Sequence, residues 1–137
     1  SYEYNIEVTR KVVDLAHARG VTVEGELGCL GGIEDGHGAG LTGEEAMKHL
    51  TDPDQAGDFC DKTGVDALAV AVGSAHGVYK GKPQLALDLL TEIRDRVDVP
   101  LVLHGGSGIS DEQFRAAIAG GISKINIFTE QILKIKL

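Results

Sequence analysis

The sequence is poor in several residue types. Its 137 positions hold 2 cysteines, 3 prolines, 1 methionine, no tryptophan and 4% aromatic residues. Two cysteines, Cys29 and Cys60, make no disulfide framework, which suits a reducing cytoplasm. Positive charge is also scarce. The 13 Lys+Arg against 21 Asp+Glu leave a net charge of −8, which argues against a protein that coats nucleic acid. No apolar run approaches the roughly 18 residues of a membrane span. The opening SYEYNIEVTRKV lacks a signal-peptide pattern, so a soluble cytoplasmic protein is expected. Glycine is plentiful at 19, but without a three-residue period, which excludes a collagenous chain. Hydrophobic residues at 42% and charged residues at 25% exclude a disordered tail. The length is that of a single domain, 1–137.

Helix and strand patterns alternate along the chain. Val8, Val12, Leu15 and Ala16 predict one face of a helix over 5–19, stopped by Gly20. Residues 21–27 alternate with period two and put Glu24 and Glu26 on one face of a strand. A glycine-rich acidic stretch, 28–43, follows, with a short helix expected over 44–50. Loops of that length in compact domains are usually functional or mobile. Asp52-Pro53 reads as N-cap and first turn of a helix over 53–62, with Ala56, Phe59 and Cys60 buried and Gly64 as its stop. Residues 67–72 form an apolar strand of the kind covered on both faces. A helix over 84–96, a strand over 101–104, a helix opened by the capping box Ser110-x-x-Gln113 that buries Phe114, Ala117 and Ile118, and a strand over 124–128 complete the pattern. Strict alternation of this kind predicts an α/β fold of parallel βαβ units. In such folds, sites lie at the C-terminal ends of the strands.

Polar residues gather at those ends. Glu26, His76 and His104 occupy equivalent places, each followed within two residues by glycine. Two imidazoles and a carboxylate with open positions suit catalytic Zn²⁺. A phosphate site is the second candidate. His76-Gly77-Val78-Tyr79-Lys80 offers backbone N–H groups and an ammonium. Gly105-Gly106-Ser107-Gly108 offers further N–H groups and a hydroxyl ahead of a helix start. The acidic loop around Glu34 could close over a substrate and supply a base. Other motifs fail: Gly38-x-Gly40-x-x-Gly43 follows no strand directly, and Ile109 breaks G-x-S-x-G. Lys124, read as the start of its strand, sits at the wrong end for a barrel site.

Five ordered motifs together carry a family resemblance. They are Val23-Glu24-Gly25-Glu26-Leu27-Gly28, Gly31-Gly32-Ile33-Glu34-Asp35-Gly36, Gly73-Ser74-Ala75-His76-Gly77-Val78-Tyr79-Lys80, Leu103-His104-Gly105-Gly106-Ser107-Gly108 and Asn126-Ile127-Phe128-Thr129. The chain resembles the class II, zinc-dependent fructose-bisphosphate and tagatose-bisphosphate aldolases. The resemblance implies a (β/α)₈ TIM barrel, of which this chain supplies about the second half, strands 5 to 8. It implies reversible aldol cleavage of fructose or tagatose 1,6-bisphosphate to dihydroxyacetone phosphate and glyceraldehyde 3-phosphate.

Position by position, the resemblance makes His76, His104 and Glu26 metal ligands, with Glu24 behind them. Glu34 becomes the catalytic carboxylate. Gly77, Lys80, Gly105 and Ser107 become the phosphate cradle, and Asn126 and Thr129 contacts to the ketone half. A monovalent cation, Na⁺ or K⁺, and a homo-oligomer, dimer or tetramer, are further expectations. Phe128 stands where the fructose-type branch carries Asp, which leans toward the tagatose type. The family's Asp-His pair on an earlier strand has no counterpart here, so this chain alone is expected to be inactive. Two other readings stay open: a non-catalytic half-barrel fragment, and a metal-free phosphate-binding barrel isomerase.

Overall fold

A computed structural model describes residues 1–28, 49–74 and 83–135. Four parallel strands form one sheet in sequential order: β1 (Glu24–Leu27), β2 (Ala67–Val70), β3 (Leu101–Leu103) and β4 (Ile122–Ile125). Five described helices accompany them: α1 (Tyr2–His17), α2 (Pro53–Thr63), α3 (Leu87–Arg94), α4 (Asp111–Gly120) and α5 (Thr129–Ile135). The expected α/β pattern of parallel strands and intervening helices is present. The short helix expected over 44–50 and the acidic stretch before it fall almost wholly outside the described residues.

The two faces of the sheet differ in chemistry. Leu27, Leu68, Val70, Leu101, Leu103 and Ile122 belong to the main core, with Ala56 and Phe59 of α2 and Leu90 and Ile93 of α3. In register, Glu24 pairs with Ala67, and Glu26 with Ala69. Ala69 pairs with Val102, and Val102 with Lys124. Because strand side chains alternate, these residues share the face opposite the helices. That face is charged at both sheet edges and carries Ala67, Ala69 and Val102 in between.

Local signals placed several helices as expected. The Asp52 carboxylate accepts from the Gln55 N–H at 2.8 Å, Pro53 occupies the first turn, and Gly64 closes α2 in the left-handed region at φ 72°. Gly25 lets α2 approach the sheet: a Cβ there would lie 2.9 Å from the Phe59 ring and from Val65.

Four expectations are corrected. The predicted face of α1 points outward, with Val8 38%, Val12 47% and Leu15 63% exposed. Instead Val13 is buried, and Tyr2 packs on Phe59 while its hydroxyl donates to Asp58 at 2.8 Å. Contact with α2 therefore chose a different stripe of α1 from the one periodicity suggested. Helix α3 starts at Leu87 rather than 84, because residues before it are held by Gln113. The Gln113 Oε1 accepts from the Leu85 N–H at 2.7 Å, and its Nε2 donates to the Pro83 carbonyl at 2.6 Å. Only half of the predicted capping box forms as a result: Ser110 Oγ accepts from the Gln113 N–H at 3.4 Å, while the Gln113 side chain serves this neighbouring segment. Ile118, expected in the core, is 57% exposed.

Candidate functional site

Strand alternation aims Glu24 and Glu26 to the same side, since Gly25 between them faces α2. His104 follows β3 directly and joins them. Its Nε2 lies 2.9 Å from Glu24 Oε1, and its Nδ1 lies 3.5 Å from Glu26 Oε2. The His104 side chain is 15% exposed, Glu24 26% and Glu26 44%, so the cluster opens toward Glu26. Burial pushes the Glu24 carboxyl up, but hydrogen bonds from Lys124 and His104 outweigh it and hold it below its usual range. A carboxylate oxygen accepts, so the 2.9 Å contact with Glu24 calls for the proton on His104 Nε2.

The expected residues come together only in part. Glu24, Glu26 and His104 converge. Ser107 is buried, and its Oγ accepts from the Glu130 N–H at 3.0 Å, tying the loop after β3 to the start of α5. A hydroxyl that accepts can still donate, so a phosphate contact is compatible with this bond. Gly105 adopts φ 67°, a conformation suited to glycine. The Gly106 N–H, one of the donors expected for phosphate, instead donates to the Asn126 carbonyl at 3.0 Å. Asn126 N–H in turn donates to the Leu103 carbonyl at 2.9 Å, which fixes the end of β4 beside the loop. Thr129 opens α5. Glu34, His76, Gly77 and Lys80 lie outside the described residues. Among the described residues no group of three His, Cys, Asp or Glu is arranged to hold a metal ion.

Two residues were missed. In the sequence Lys124 reads as a strand start, but β4 begins at Ile122 and its pairing slips by one residue: Leu101 pairs with Ile122, and Val102 with Lys124. The extra residue, Ser123, re-aims the strand as a bulge does. Lys124 Nζ then reaches Glu24 Oε2 at 2.7 Å. The signal was present in the sequence, since Lys124 and Asn126 alternate around Ile125 as Glu24 and Glu26 do around Gly25. Thr51 is the other. Its Oγ1 donates to the Leu27 carbonyl at 2.6 Å and accepts from the Ala71 N–H at 2.8 Å, bracing the C-terminal ends of β1 and β2. Nothing in the local pattern around Thr51 marks that role.

Such an arrangement defines a class: an α/β protein with parallel strands and a carboxylate–imidazole cluster at the C-terminal ends of the strands. The particular family follows from comparison. The model of the family described as Fructose-bisphosphate aldolase class-II matches residues 1–135, and the chain belongs to that family. It is 50% identical over 131 residues to the uncharacterized protein YdjI of Escherichia coli (strain K12), covering 94% of this chain and 45% of that protein. It is 48% identical over 129 residues to the fructose-bisphosphate aldolase of Geobacillus stearothermophilus, covering 94% of this chain and 43% of that protein. The crystal structure of the YdjI aldolase from Escherichia coli K12 superposes with a TM-score of 0.80 at 46% identity, over 97% of this chain and 43% of that one. A putative fructose-1,6-biphosphate aldolase from Coccidioides immitis gives 0.79 at 31% identity, over 100% of this chain and 50% of that one. The chain spans less than half the length of these two curated relatives.

Proposed function

We propose that this chain forms strands five to eight of a (β/α)₈ barrel, and that the intact protein is a zinc-dependent ketose-bisphosphate aldolase. The observation that carries the reading is the spacing of His104 Nδ1 and Glu26 Oε2, 3.5 Å. Two ligands of one tetrahedral zinc, bound at about 2.0–2.2 Å, stand about 3.4 Å apart. The donor chemistry fits as well: an imidazole nitrogen beside a carboxylate oxygen, with a second carboxylate, Glu24, on the far ring nitrogen. His104 and Glu26, with His76, would hold the zinc. Bound there, zinc would supply a Lewis acid for the ketone oxygen.

The remaining work falls to protein groups. Glu24 orients the His104 ring and selects its tautomer. Glu34 moves the proton at the carbon next to the ketone. Gly77, Lys80, Gly105 and Ser107 bind the phosphate of dihydroxyacetone phosphate, and Asn126 and Thr129 position the ketone half. A monovalent cation, Na⁺ or K⁺, in the glycine loops completes the reading. The substrate is fructose or tagatose 1,6-bisphosphate, with Phe128 favouring the second.

The test is zinc content and aldol cleavage of both bisphosphates by the intact protein, alongside Glu26→Gln and His104→Ala. Wild type should hold zinc and release dihydroxyacetone phosphate, and both variants should lose metal and turnover together. A metal-free wild type that still cleaves would overturn the reading.

A further inference from the structure

The sheet's charged face holds a connection that the proposed chemistry does not use. Lys124 on β4 and Glu24 on β1 lie on opposite edges of the four-stranded sheet, 100 residues apart in sequence, yet their charged atoms are 2.7 Å apart. The strand between them nearest to β1 presents only Ala67 and Ala69 on that face. The two long side chains meet over these small ones and past Val102 on β3. The pairing slip at Ser123 brings Lys124 into line with Val102, on that same face.

The two oxygens of Glu24 are divided. Oε2 takes Lys124 at 2.7 Å, and Oε1 takes His104 Nε2 at 2.9 Å. The other ring nitrogen of His104 faces Glu26 Oε2 at 3.5 Å. Lys124, Glu24 and His104 therefore form a line that ends on the side where Glu26 stands. A carboxylate held at one oxygen by an ammonium cannot swing its other oxygen away from the ring without breaking the first bond. Lysine is suited to this as a compact charge on a long stem, reaching across without crowding the alanines.

We propose that Lys124 is a positioning residue: by holding Glu24 against His104 it keeps the ring in the tautomer with the proton on Nε2, which turns Nδ1 toward Glu26 and the metal. The inference rests on the zinc reading above for its purpose, and on the geometry of this face for its mechanism. It also gives a role to a lysine that no motif had claimed.

The experiment uses the intact protein with ¹⁵N-labelled histidine, as wild type, Lys124→Met, Glu24→Gln and the double variant. Two quantities are read: zinc affinity by competition with a chromophoric chelator, and the His104 tautomer from its ring ¹⁵N shifts, with and without zinc. Glu24→Gln should weaken zinc binding about 10–100-fold, the usual effect of removing a partner behind a metal ligand. Lys124→Met, one contact further out, should weaken it less but by more than about twofold. The double variant should be no worse than the weaker single one, because both break one line of contacts. The single Nε2–H tautomer should give way to a mixture.

Zinc affinity within twofold of wild type in Lys124→Met, with His104 still in one tautomer, would overturn the role. So would losses that add in the double variant. A wild type that binds no zinc sinks the aldolase reading instead, and the metal-free tautomer comparison then decides the positioning role by itself. Should Lys124→Met fail to fold, Lys124→Gln takes the same two measurements with the same two expectations.

Discussion

Replacing Thr51 by valine removes one hydroxyl from the place where β1 and β2 end, and its cost can be worked from the structure. Thr51 is 2% exposed and Ala71 3%. The Thr51 Oγ1 satisfies the Leu27 carbonyl and the Ala71 N–H at once. Valine has nearly the same shape, so it opens no cavity, but it leaves both backbone groups without this partner. A buried polar group left unsatisfied costs about 1–3 kcal/mol. The methyl that replaces the hydroxyl recovers about 0.8 kcal/mol through apolar burial. With two groups affected, the net loss is about 1–5 kcal/mol. Thr51→Ser keeps the hydroxyl and loses one methyl, so it should cost about 1 kcal/mol. Urea denaturation of the intact protein reads both. Thr51→Val should lower the midpoint clearly more than Thr51→Ser, with the slope unchanged. If serine proves the costlier substitution, packing rather than hydrogen bonding holds this corner, and the reasoning fails. The corner matters for function, because β1 leads from it into the stretch that carries Glu34.

Other perturbations have defined outcomes. Gly25→Ala would place a Cβ 2.9 Å from Phe59 and Val65, and Phe59 is fully buried, so a loss of about 1–3 kcal/mol is expected in the same denaturation experiment. Asp66 is held below its usual carboxylate range by hydrogen bonds from His17 and the Val23 N–H. A depressed folded value stabilises at pH above the unfolded value, and that contribution is lost as pH falls through the folded one. The advantage of wild type over Asp66→Asn should therefore be present at neutral pH and vanish in acid, below the ordinary aspartate range; melting curves across pH check this, and a gap that persists in acid counts against it. Burial pushes the Cys60 thiol up to about 11. Alkylation at pH 8 should thus run about a hundredfold slower than for a free cysteine, as followed by mass spectrometry.

Much of the architecture was legible because its signals are local. Asp52-Pro53, Gly64 and Ser110 mark helix ends through bonds made within a few residues, and the alternation of Glu24, Gly25 and Glu26 needs only the two-residue period of a strand. Failures came where a distant partner decided. Periodicity chose Val8, Val12 and Leu15 for the buried face of α1, but Tyr2 and Val13 meet α2 instead. Gln113 reads as a helix cap until residues 83–85 compete for its amide.

The sequence by itself determined the order of strands and helices, the family motifs, and which residues could serve as ligands, because those depend on residue type and spacing. Only the tertiary structure decided that Glu24 lies between His104 and Lys124, that Gly106 gives its N–H to Asn126, and that Thr51 closes the corner at Leu27. These contacts join residues 20 to 100 positions apart. They depend on sheet register and on one slipped pairing in β4, which no short stretch of sequence specifies.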